Sequence, residues 1–89
     1  MRDSSLISFV ARSKRRLEIL KLLEESEKAQ VELMKRTKMY KGHTSRTLGE
    51  LSDKKLILCT NPDDRYFRSY KITKKGKRIL EEVKRLIEG

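Results

Sequence analysis

The residues between Lys38 and Ile57, KMYKGHTSRTLGELSDKKLI, contain the side chains most capable of chemistry: the only histidine, His43, with Ser45 and Asp53 nearby. A histidine beside a serine and an aspartate is the composition of a nucleophile, a base and an orienting group, and such a set works only when the three converge. On a helix, His43 and Ser45 stand about 200° apart around the axis, so their side chains diverge. Asp53 lies near the far end of the same helix, and no second histidine exists to serve Ser45. The chain also lacks a glycine-rich phosphate loop, an H-E-x-x-H pair and a Cys/His cluster. These patterns argue against catalysis, and no cofactor is expected.

The same residue types suit a binding face. Thr44, Leu48 and Leu51 recur at i, i+4 and i+7, which marks the buried stripe of a short helix over residues 41–55. The opposite side then collects Gly42, Arg46 and Gly49, with His43 and Ser45 on the flanks and Lys41 at the start. An arginine at the centre of an exposed face can donate two hydrogen bonds to guanine, and serine or histidine can bond a base edge or a phosphate. Glycine costs about 1 kcal/mol inside a helix, yet it leaves the backbone free to approach a groove closely.

Charge placement points the same way. The 89 residues carry 23 basic and 13 acidic side chains, a formal net charge of +10, which predicts a polyanionic partner. From Leu33 to Gly49 there is no acid, only Lys35, Arg36, Lys38, Lys41 and Arg46. A second acid-free run, residues 65–78, opens with Arg65 and Arg68 and ends in Lys74, Lys75, Lys77 and Arg78 at the start of a helix. Cations there oppose the helix dipole and make more sense with phosphate nearby. The lone Cys59 cannot form an internal disulfide and reads as a small packing residue in a reducing compartment. No run approaches the ~18 apolar residues of a membrane span, and no leader pattern is visible, so a cytoplasmic location is expected.

The elements that must position this face follow from periodicity. Apolar residues at helical spacing predict a first helix over residues 5–25, started by Ser4 or Ser5, with a polar interruption over residues 12–16. Its first turns carry Leu6, Phe9 and Val10, a patch expected to face a partner subunit. A short helix over residues 29–37 precedes the one already described, and their brief connector makes a helix-turn-helix pattern. Residues 56–60 and 66–72 read as two strands around Asn61-Pro62-Asp63-Asp64, with proline at the second turn position and the aspartates closing the turn through local backbone hydrogen bonds. Tyr70 and Ile72 should face inward. Thr73 caps a last helix over residues 73–88 whose Val83, Leu86 and Ile87 offer further subunit contacts. The expectation is one domain, mainly α within an α+β class: helix-turn-helix at about 29–55, hairpin at about 56–72, and a C-terminal helix.

The runs RSKRRLEILKLL and VELMKRTKMYKGHTSRTLGELSDKKLILCTNPDDRYFRSYKITKKGKRIL resemble winged-helix transcription regulators of the MarR/ArsR-like kind, most of all the small archaeal forms. The resemblance spans nearly the whole chain and implies a duplex-DNA partner, while the apolar ends of the first and last helices lead one to expect a homodimer. It makes the helix with Ser45 and Arg46 the recognition helix and the hairpin the wing, with Arg65 and Arg68 near the minor groove. Lys35, Arg36 and Lys38 would hold phosphates. Glycine is usual in that family where Lys55 stands here. A protein-interaction module with an acidic partner, or a nonspecific chromatin protein, fits the same charge and is the rival expectation.

Overall fold

A computed structural model describes residues 2–88. Five helices surround a small sheet: α1 (Arg2–Ala11), α2 (Lys14–Glu25), β1 (Lys28–Ala29), α3 (Gln30–Thr37), α4 (Lys41–Asp53), β2 (Ile57–Cys59), β3 (Ser69–Ile72) and α5 (Lys74–Glu88). The sheet is antiparallel in the order β1-β3-β2. This is a winged helix-turn-helix, mostly helical, as the residue pattern predicted.

The single helix expected over residues 5–25 is in fact two. Ser13 adopts extended φ/ψ of −125° and 112°, and its hydroxyl accepts the Arg16 amide at 3.2 Å, which starts a new helix. The polar run over residues 12–16 buries nothing that would hold the first helix straight through. Nor do Ser4 or Ser5 cap α1, which begins at Arg2.

Leu20, Leu23, Leu33, Leu48, Leu51, Ile79 and Leu80 form the centre of the core. Val10 and Val83 are fully buried in it as well, where α1 packs along α5. This corrects their assignment to a subunit interface. Leu6 and Phe9 pack half-buried against the same core, so only Leu86 and Ile87 of the six expected interface residues stay exposed. Periodicity alone cannot tell whether an apolar residue faces its own core or a partner's.

The seam between α4, β2 and α5 is closed by short hydrogen bonds. Thr73 Oγ1 donates to the Lys55 carbonyl at 2.7 Å and accepts the Gly76 amide at 2.9 Å, the cap expected of Thr73. Lys55, where the resemblance leads one to expect glycine, is held in the left-handed region at φ 64°. The register Ile57↔Ile72 and Cys59↔Tyr70 turns Ile57, Tyr70 and Ile72 inward.

Two features of the sheet differ from expectation. The third strand, β1, pairs Lys28 with Tyr70 and Ala29 with Ser69. The second hairpin strand begins only at Ser69, because the Asp64 carboxylate takes the amides of Tyr66 and Phe67, at 2.9 and 2.8 Å, before any ladder can.

Candidate nucleic-acid interface

Helix α4 buries Thr44, Thr47, Leu48 and Leu51. Both threonine hydroxyls turn back onto their own helix, Thr44 to Tyr40 O and Thr47 to His43 O at 2.9 Å each, and so add no polar demand to the core. The other side leaves Lys41, Gly42, His43, Ser45, Arg46 and Gly49 exposed. No side chain caps the helix start and its first turn has no acid, so the positive end of its dipole is open to an anion.

His43 and Ser45 do not meet. The Ser45 hydroxyl instead accepts Gln30 Nε2, from the start of α3, at 2.8 Å. Gln30 escaped the sequence reading because nothing local links two positions on different helices. Arg16 escaped it for the same reason. Its Nε donates to Glu50 Oε1 at 3.1 Å and its Nη1 to the Phe9 carbonyl at 2.7 Å. Its guanidinium also lies 3.8 Å from the centre of the Phe9 ring. One side chain of α2 thereby joins α1 to α4.

Of the expected phosphate contacts, Lys35 and Lys38 are exposed, and Lys38 closes α3 in a left-handed conformation at φ 59°. Arg36 is less free than an acid-free run implied: Glu32 lies 3.5 Å and Glu25 3.9 Å from its guanidinium. Lateral acids from α2 and the preceding turn of α3 partly neutralise it.

The wing is a folded loop. The Asp64 amide donates to Asn61 O at 3.0 Å, closing the turn around Pro62. Amide donors from Phe67 and Tyr66, with Arg68 nearby, hold the Asp64 carboxyl below its ordinary pKa. Asp64 therefore does the turn-closing work expected of the aspartate pair, and Asp63 stays exposed. Arg68 Nε donates to the Asp64 carbonyl at 3.0 Å, which bends this guanidinium toward the loop. Arg65 is exposed and makes no hydrogen bond or ion pair among the described residues. Tyr66 and Phe67 are 82% and 73% exposed. A cleft of about 320 Å³ separates this loop from the first turns of α3 and α4.

A family model described as the HVO_A0261 N-terminal domain matches residues 4–89. The chain belongs to that family. This HVO_A0261 N-terminal domain shares its fold with solved MarR-family regulators. It is 25% identical to the transcriptional regulator BldR from Sulfolobus solfataricus, with a TM-score of 0.77 over 85% of this chain and 55% of that one. A possible transcriptional regulatory protein from Mycobacterium bovis, solved as a fragment of residues 1–100, gives 21% identity and a TM-score of 0.80, covering 99% and 94%. A single-residue mutant of MarR from E. coli, complexed with operator DNA, gives 22% and 0.75, covering 97% and 66%. The domain thus spans little more than half the length of BldR. No curated protein matches it in sequence. No helix of the described residues is long and apolar enough to cross a membrane.

Proposed function

We propose that this chain is a sequence-specific duplex-DNA-binding transcriptional regulator that acts as a homodimer on chromosomal DNA in the cytoplasm. The observation that carries the proposal is the exposed side of α4. Between Lys41 and Gly49 it has cations, short hydrogen-bonding side chains, two glycines and no acid. Helix α4 enters the major groove, where Arg46 and Ser45 meet base edges, His43 assists, and Gly42 and Gly49 let the backbone come close. Lys41, Lys35 and Lys38 take phosphates, Arg36 gives a weaker contact, and Arg65 with the remaining donors of Arg68 works from the wing. That operator DNA is bound by a protein of the same fold supports the docking. Leu86 and Ile87, 70% and 54% exposed at the end of α5, supply the apolar part of the dimer contact.

The test is a binding titration against a selected duplex and against mixed genomic fragments. Arg46→Ala should cost about 1–3 kcal/mol on the selected site and relax preference at one base position. Affinity should fall by about 0.9 log units per decade of salt for each phosphate neutralised. A flat salt titration sinks the proposal. Equal affinity for all fragments replaces it with a nonspecific chromatin role.

A further inference from the structure

In a duplex, one sugar–phosphate strand separates each major groove from the adjacent minor groove. If α4 lies in the first and the wing near the second, that strand must run through the cleft between them. The chemistry of the cleft is therefore the chemistry of a backbone seat, and it has two parts. Lys41, Arg65 and Arg68 line it with positive charge, and no carboxylate side chain is among its lining residues. Val31, Met34, Tyr66 and Phe67 supply its apolar part, while the polar side chains of Gln30 and Ser45, which also line it, are hydrogen-bonded to each other.

These apolar side chains have no evident use inside the domain. Val31 is 59% exposed, and neither aromatic packs on the core. The loop nevertheless holds Tyr66 and Phe67 in place by polar means. Asp64 accepts both amides, and Asn61 Nδ2 donates to the Phe67 carbonyl at 2.8 Å. The two walls are joined as well, because the Gln30 amide donates to the Arg68 carbonyl at 2.8 Å. The result is a cleft of set width that presents greasy surface beside cations. An acidic peptide would leave the apolar lining without a partner, and an apolar segment would leave the cations without one. A sugar–phosphate uses both.

We propose that this cleft seats one deoxyribose–phosphate segment, its apolar lining packing on the C–H face of the sugar that includes the 2′ hydrogens, and so selects deoxyribose over ribose. The proposal rests on the DNA-binding reading above. A 2′ hydroxyl pressed against the apolar part of this lining, Val31, Met34 and the Phe67 ring, would lose water without gaining a partner.

The experiment measures binding of the full chain to one selected duplex in which single ribonucleotides are stepped along each strand. At one or two positions between the half-site read by α4 and the flanking minor groove, ribose should weaken binding about five- to tenfold. The double variant Tyr66→Ala/Phe67→Ala changes only exposed side chains and keeps the Asp64, Asn61 and Arg68 scaffold. It should bind the all-DNA duplex about tenfold more weakly with an unchanged salt slope, and the ribose penalty should vanish. Arg65→Ala should instead lower the slope by about 0.9 and leave the penalty in place. Tolerance of ribose at every position, or a penalty that persists in the double variant, overturns the sugar seat while duplex binding stands. Failure of the wild-type chain to bind any duplex overturns both.

Discussion

A Cβ added to Gly76 would overlap the Leu56 carbonyl oxygen and come within 2.8 Å of Ile72 Cγ1, whereas one added to Gly42 or Gly49 would meet nothing within 4 Å. The first glycine sits in the seam where α5 closes against β2 and β3; the other two sit on the open side of α4. In the seam every part answers to a neighbour: Thr73 bridges Lys55 and Gly76, and the Leu56 amide reaches back to Leu51 O at 3.1 Å. Glycine there is a folding requirement. On α4 it relieves no crowding and costs helix stability, which agrees with the proposed close approach of a groove. The same residue type thus separates a packed seam from the open face proposed to meet DNA.

Substitutions can break this contrast. The largest effect is expected at Gly76→Ala, which should lower unfolding free energy by about 2–3 kcal/mol or more in urea denaturation, because a backbone oxygen cannot move aside cheaply. A loss under about 1 kcal/mol would mean that the seam yields easily and the contrast is false. Arg16→Ala should cost about 1–2 kcal/mol, from its hydrogen bonds to Glu50 and Phe9 and its contact with the ring. It should weaken DNA binding by loosening α4 while leaving the salt slope unchanged. A lowered slope would show that Arg16 itself reaches phosphate.

Gly49→Ala should act with opposite signs on the two surfaces. Stability should rise by about 0.5–1 kcal/mol, as for any glycine replaced in a helix interior, while DNA affinity falls. If both rise together, Gly49 is not at the groove. The smallest effect concerns the wing. The folded pKa of Asp64 is depressed, so its contribution is fully present above the unfolded value and is lost as pH falls through the folded one. Amide signals of Tyr66 and Phe67 should therefore hold steady down to the ordinary aspartate value of 3.8 and shift only below it, with the seam unaffected in that range. Loss of wing order at higher pH would show that the carboxylate is not what holds the loop.

Much of the fold was legible in order along the chain. Thr44, Leu48 and Leu51 marked the buried stripe of α4, and Thr73 marked the start of α5, because helix faces and caps depend on residues three or four positions apart. The restart at Ser13 had a visible signal, a polar run containing a good capping residue, but apolar spacing on both sides suggested one helix. Strand β1 had no signal, since two residues carry no period. Tyr66 and Phe67 have strand-forming side chains, yet a nearby carboxylate captured their amides.

Local rules alone thus account for the helix-turn-helix, the turn at Pro62, the capped last helix and the separation of basic from acidic segments. Short-range periodicity, turn chemistry and charge order all act between near neighbours, and near neighbours are visible in a linear chain. Three-dimensional packing settled the rest: Val10 and Val83 close the domain's own core, Arg16 joins α1 to α4, and Gln30 holds both Ser45 and the wing. The cleft beside α4 is of this second kind. Its walls come from segments far apart in the chain, and they meet only because the β1–β3 pairing carries Arg68 to the start of α3.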